Sequence, residues 1–166
     1  MRIFLVGFMG SGKSHWGGRW AVASGFDFID LDEVIEAKSG KTISDIFEQE
    51  GEEPFRKTES DELRLLSGRE KVIISCGGGT PCFHGNMDWM NEAGITVYLS
   101  STPKMLFDNI MKDSVKRPLV KDVNDAEILY FVEKKLKERA PFYERAQITL
   151  SLPELNDQSL EQALNR

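Results

Sequence analysis

The chain has 166 residues, 29% of them charged and 40% hydrophobic, with a formal net charge of −6 at pH 7. That length suits one domain spanning 1–166 with a real core and no need of disulfide or metal staples, and the acidic balance argues against nucleic acid as a partner. No apolar run approaches the roughly 18 residues of a membrane helix, and the two cysteines, Cys76 and Cys82, form no CxxC and have no second pair to complete a zinc site, so they read as reduced thiols in a soluble, cytoplasmic protein.

Along the chain, apolar runs alternate with helical patterns, which predicts an α/β domain with a parallel sheet. The first strand, RIFLVG, runs straight into GFMGSGKS, in which Gly7, Gly12, Lys13 and Ser14 fit G-x-x-x-x-G-K-[ST]. A helix from Lys13 to Ser24 follows. The motif thus stands between strand and helix, where its mechanism needs it. Glycines let successive N–H groups, those of Gly10, Ser11 and Gly12 and on to His15, turn toward one anion at a helix N-terminus. Lys13 can reach the β- and γ-phosphates and the Ser14 hydroxyl can hold Mg²⁺. The alternative, a glycine-rich turn with a solvated lysine, does not account for that order of elements. His15 and Trp16 come next: the first reads as a solvated residue whose backbone N–H serves the α-phosphate, the second as a packing residue.

The second strand, FDFID, ends at IDLDEVIE. Asp30 and Asp32 are two apart, which in a strand puts both on one face at the carboxyl end where ligands bind in open α/β sheets. One could orient metal-bound water while the other accepts a proton; capping of a helix from Asp32 to Lys38 would explain one aspartate but not the pair. Thr42, with Asp45 three residues on, opens another helix in the manner of a capping box. In the helical stretch Glu52 to Leu66, Arg56 precedes Glu59 by one turn, either as an exposed ion pair or as a guanidinium held ready for a carboxylate. KVIIS is the third strand, followed by Gly77, Gly78 and Gly79, more glycine than a tight turn requires. A loop with Pro81 and Gly85 and a helix to Glu92 lead to the fourth strand, ITVYLS. DSVKRPLVKDVND, residues 113 to 125, reads as a mobile charged loop between two helices, the second from Ala126 to about Arg139, and QITLSL is the last strand.

The ordered set GFMGSGKS, DLD, FRKTE, GGG, KRPL and ERAPFY strongly resembles shikimate kinase, over Met1 to about Ala146. The resemblance implies a P-loop nucleoside-monophosphate-kinase-like three-layer sandwich with a five-stranded parallel sheet in the order 2-3-1-4-5, a substrate-binding segment at about 32–62 and a lid at about 112–125. It implies transfer of the γ-phosphoryl group of MgATP to the 3-hydroxyl of shikimate, by a monomer that binds neither nucleic acid nor membrane. Residue by residue, it assigns Asp32 to the shikimate hydroxyls as the base and Asp30 to the water shell of a Mg²⁺ that Ser14 also holds. Lys13 and Arg117 fall on the phosphates, Arg56 and Arg139 on the shikimate carboxylate, and Gly77, Gly78 and Gly79 at the ring hydroxyls. Ile43, Phe47 and Phe55 become the apolar wall of the pocket. The sequence departs from the family's pattern at Ile110, where an arginine for the adenine face is common, at SLPELND near the C-terminus, and at His15, where a small hydroxyl residue is usual. The alternative readings are a gluconate or nucleoside-monophosphate kinase of the same fold and a nucleotide-dependent switch; paired arginines favour an acceptor with a carboxylate, and the DxD favours a polyol.

Overall fold

The computed structural model describes residues 1–113 and 124–166. Its strands are β1 (Arg2–Val6), β2 (Asp27–Asp30), β3 (Val72–Ser75), β4 (Ile95–Ser100) and β5 (Ile148–Ser151). They form one sheet in the order β2-β3-β1-β4-β5, with every pairing parallel. Central β1 is paired on both edges, Ile3 standing beside Ile73 on one side and Ile95 on the other. Alternation along that strand feeds two cores, as a sheet covered on both faces requires. Phe4 and Val6 join Leu31, Ile35, Leu63, Ile74 and Tyr143 on one side. Ile3 and Leu5 join Trp20, Ile73, Val97 and Leu160 on the other.

The helices are α1 (Lys13–Ser24), α2 (Leu31–Ser39), α3 (Ile43–Glu50), α4 (Glu52–Leu65), α5 (Asn86–Ala93), α6 (Pro103–Lys112), α7 (Asp125–Tyr143) and α8 (Ser159–Leu164), with short 3₁₀ turns at Leu66–Gly68 and Thr80–Cys82. Helix α1 presses hard on the sheet, since a Cβ on Gly17 would fall 2.6 Å from Phe28 Cε2 and 2.9 Å from Leu5 Cδ1. Helix α3 starts as the capping pattern predicts, Thr42 Oγ1 accepting from the Asp45 N–H at 3.1 Å. No helix among the described residues is long and apolar enough to cross a membrane.

Three details differ from the sequence reading. Strand β2 stops at Asp30 and α2 begins at Leu31, so Asp32 lies in a first helical turn and the two aspartates do not share a strand face. The cap of α2 is Asp30, whose Oδ1 accepts from the N–H groups of Asp32 at 3.0 Å and Glu33 at 3.4 Å. Helix α7 runs past Arg139 through Pro141 to Tyr143. A proline costs a helix one N–H donor, and the chain resumes the pattern beyond it, the Glu144 N–H reaching the Ala140 carbonyl at 2.9 Å.

Candidate active site

The carboxyl ends of β1, β2 and β3 stand side by side in the sheet, at the edge whose crevice takes the ligands of an open parallel sheet. The loop after β1 ends at Gly12, which caps α1 with φ 85° and contributes no side chain. The left-handed backbone there is easy only for glycine, and the bare cap leaves the first N–H groups of α1 to face an anion. Lys13 is buried, its ammonium donating to the carbonyls of Gly7 at 2.8 Å and Phe8 at 2.9 Å, so it lies across the loop it follows. The Ser11 hydroxyl is buried without a hydrogen-bond partner among the described residues. Ser14 donates to Asp30 Oδ2 at 2.6 Å. Asp30 therefore joins the start of α1 to the start of α2 with one carboxylate.

Gly77, Gly78 and Gly79 each face side chains singled out in the sequence. A Cβ on Gly77 would lie 3.1 Å from Asp32 Oδ1 and 3.1 Å from Glu59 Oε2. One on Gly78 would lie 3.1 Å from Arg139 Nη1 and 3.5 Å from the Met9 backbone nitrogen in the phosphate loop. One on Gly79 would strike the Arg56 guanidinium, with Nη2 at 2.4 Å. Each glycine is thus a clearance for a different side chain, and the turn abuts the phosphate loop.

Arg56 is 5% exposed and Glu59 1%, which makes their 2.9 Å contact a buried ion pair and not a surface one. Arg56 Nε also meets Glu52 at 3.3 Å, and its Cζ stands 4.4 Å from the Phe83 ring centroid, 5.2 Å from Phe55 and 5.6 Å from Phe47. Stacking and two carboxylates aim the guanidinium and leave Nη2 without a hydrogen-bond partner among the described residues. Phe47 and Phe55 pack with ring centroids 4.6 Å apart, and Ile43 joins the same cluster, so the predicted wall is assembled. Arg139, on α7, stands 5.5 Å from the Phe8 ring centroid and makes no ion pair among the described residues. One turn further, Tyr143 donates its hydroxyl to the Gly78 carbonyl at 2.5 Å.

Asp32 is held between these groups, and its carboxyl is pushed up to about 6, first by burial and then by the charges of Asp30 and Glu59, with Lys13 opposing. A carboxylate at that level is mostly ionised at neutral pH yet basic enough to take a proton.

The family model for shikimate kinase matches residues 9–165 of the chain. The shikimate kinase of Bacteroides fragilis is 41% identical over 159 residues, covering 96% of this chain and 89% of that one. The chain belongs to the shikimate kinase family. The crystal structure of shikimate kinase from Bacteroides thetaiotaomicron superposes with a TM-score of 0.91 at 39% identity, over 100% of this chain and 95% of that one. Shikimate kinase from Acinetobacter baumannii, solved in complex with shikimate, superposes with a TM-score of 0.83 at 34% identity, over 99% and 90%. The fold is accordingly the expected P-loop kinase sandwich, and the family's activity is ATP-dependent phosphorylation of a shikimate hydroxyl.

Within the shikimate kinase family this chain's departures now have places. Ile110 is 2% exposed, and its Cγ1 lies 3.1 Å from where a Cβ on Gly10 would be, so it is a buried strut under the phosphate loop. Lys112 is exposed at the end of α6. His15 is exposed and stands edge-on to Trp16 at 5.1 Å, and Trp16 stacks on Trp20 at 5.7 Å. The segment SLPELND is tied to α1: the Trp20 indole donates to the Asn156 carbonyl at 2.9 Å, and Arg19 meets both Asp157 oxygens at 2.5 and 2.7 Å. Arg117 and nearly all of the segment read as a lid lie outside the described residues. Sequence reasoning did not single out Phe83, Tyr143 or Thr80; the aromatic just beyond the glycine turn and the last residue of ERAPFY were the visible hints.

Proposed function

We propose that the crevice takes MgATP on the phosphate loop and shikimate against the glycine turn, so that the γ-phosphoryl group passes to the 3-hydroxyl and leaves ADP and shikimate 3-phosphate for aromatic amino-acid biosynthesis. The observation that carries this reading is the position of Gly78, between Arg139 Nη1 at 3.1 Å and the Met9 nitrogen of the phosphate loop at 3.5 Å from its Cβ position. One glycine thus has an acceptor-side arginine and the donor loop as its neighbours, the proximity that in-line transfer requires.

In this reading the N–H groups from Gly10 to His15 and the buried Ser11 hydroxyl cradle the phosphates, and Lys13 exchanges its carbonyl partners for β- and γ-phosphate oxygens. Ser14 and Asp30 offer a hydroxyl and a carboxylate 2.6 Å apart. Those hard oxygen donors fit Mg²⁺, Ser14 directly and Asp30 through water. When bound, the ion neutralises charge on the β- and γ-phosphates. Arg56 and Arg139 clamp the acceptor carboxylate, Gly77 to Gly79 receive the ring hydroxyls, and Asp32 accepts the proton of the attacking hydroxyl. Arg117 is assigned to the phosphates on the resemblance alone. We extend the proposal to a single kinase domain over 1–166, with substrate segment 32–62 and lid 112–125, working as a cytoplasmic monomer on small molecules without nucleic acid or membrane.

The test is a coupled ADP-release assay with MgATP over shikimate, gluconate and nucleoside monophosphates. Release with shikimate alone is expected; release only with gluconate or a nucleotide overturns the acceptor, and no release with any of them favours a nucleotide-dependent switch.

A further inference from the structure

The hydroxyl of Thr80 has no part in the roles above, and its position is unusual. Thr80 is 0% exposed and opens the 3₁₀ turn that follows the three glycines. Its Oγ1 donates to Glu59 Oε2 at 2.7 Å, while Glu59 Oε1 accepts from Arg56 Nη1 at 2.9 Å. The two oxygens of one buried carboxylate are therefore held from opposite sides, one by a neutral hydroxyl and one by the arginine.

Without the hydroxyl, Glu59 could rotate about its last bond. A buried carboxylate with one oxygen unsatisfied is costly, and Glu59 Oε2 already crowds the same point beside Gly77 as Asp32 Oδ1, each 3.1 Å from it. The cheapest relief is for Glu59 to turn toward Arg56 and draw the guanidinium with it. Thr80 itself is fastened. Its N–H reaches the Gly77 carbonyl at 3.1 Å, and its carbonyl accepts from Asn86 Nδ2 at 2.9 Å. Asn86 Oδ1 in turn accepts from Ser60 at 2.9 Å and Arg64 at 2.6 Å, both on the helix that carries Arg56 and Glu59. The glycine turn and α4 are thus latched at two levels, and only the one through the Thr80 hydroxyl ends on Arg56.

We propose that Thr80 is a positioning residue for acceptor binding: its hydroxyl locks the Glu59 carboxylate and so holds the Arg56 guanidinium at the angle that grips the acceptor carboxylate. This rests on the reading that Arg56 binds that carboxylate. In this proposal Thr80 acts on the acceptor through Glu59 alone.

The decisive comparison is Thr80→Val, which keeps the shape and removes the donor, with Thr80→Ser, which keeps the donor. In Thr80→Val the KM for shikimate rises about tenfold, as for loss of a hydrogen bond to a charged group, while kcat and the KM for ATP stay within about twofold; Thr80→Ser restores the wild-type KM. The penalty is absent when the substrate is shikimate methyl ester, which offers no carboxylate, and absent again in a Glu59→Gln background, where the relay is already broken. A folded Thr80→Val enzyme with unchanged shikimate KM, or one equally impaired on the ester, overturns the proposal. So does failure of both Thr80→Val and Thr80→Ala to fold, because the hydroxyl would then serve the core. Arg56→Ala is run alongside: if it too leaves the shikimate KM untouched, the fault lies in the carboxylate assignment and not in the relay.

Discussion

Arg56 and Arg139, from α4 and α7, are brought to neighbouring residues of one turn, the first against Gly79 and the second against Gly78. Two guanidiniums at adjacent glycines, one buried and stacked and the other half-buried, are placed as the proposed carboxylate clamp needs, from two helices rather than one. Arg56→Ala or Arg139→Ala is expected to raise the shikimate KM at least tenfold, because a charge-assisted, bidentate pair contributes on the order of 1.5 to 3 kcal/mol. The KM for ATP, measured in the same assay, stays within about twofold.

Asp32 ties activity and stability to pH in opposite senses. Burial and the neighbouring carboxylates push its carboxyl up to about 6, so with Asp32 as the proposed base kcat/KM is expected to fall as the pH drops through that value. On the same assignment, Asp32→Asn is expected to retain nucleotide binding and to lose about 100-fold or more in kcat in the coupled assay. For stability the folded value lies above that of an exposed carboxylate, so between about pH 4 and 6 the folded chain binds more protons than the unfolded chain. Stability from this group therefore rises as pH falls through the window, and the charged form is a cost at neutral pH. Thermal melts at pH 7.5 should find Asp32→Asn more stable than wild type by up to roughly 3 kcal/mol, with the gap closing toward pH 4.

Ile110 offers no room for the arginine that related chains often carry. Ile110→Arg would bury a charge beneath the phosphate loop, where Gly10 and Leu106 already crowd, at a cost of about 3 kcal/mol or more. A clear fall in Tm with weakened ATP binding is expected, rather than improved discrimination between ATP and GTP. In the wild-type enzyme base discrimination is expected to be loose, with GTP or CTP serving as partial donors. Strict ATP preference would assign the adenine to another side chain.

His15 is exposed, and its ring stands edge-to-face with Trp16. His15→Thr should keep turnover and ATP affinity within a few-fold of wild type. A 100-fold loss in turnover, worth about 2.7 kcal/mol of barrier, would place the imidazole in the reaction.

Much of this site was legible in the sequence because its signals are local. The phosphate loop is a contiguous motif, Arg56 and Glu59 are one helical turn apart, and three glycines after a buried strand announce a close approach. Topology, by contrast, decides which side chain each glycine clears, and Thr80, Phe83 and Tyr143 owe their contacts to segments distant in the chain. The aspartate pair shows how the local argument fails. Its period-2 logic needed the strand to reach Asp32, but the Asp30 side chain caps the next helix and ends the strand first. Ile110 was read by its place in a pattern, whereas its burial depends on how α6 packs beneath Gly10.

Trp16 places an intrinsic fluorophore at the proposed nucleotide site. Its Cδ1 lies 3.1 Å from the Cβ position of Gly12, at the cap of the phosphate-binding helix, and its ring is stacked on Trp20. The third of the chain's three tryptophans, Trp89, is remote from the loop, edge-on to Phe4 at 5.8 Å and under Arg64 at 5.4 Å. Charge arriving at the Gly12 cap changes the field on one indole and leaves the Trp89 emission as an internal reference. ATP titrations can therefore be followed by intrinsic fluorescence without a label, and Trp16→Phe should abolish the response while leaving the folded protein visible through Trp20 and Trp89.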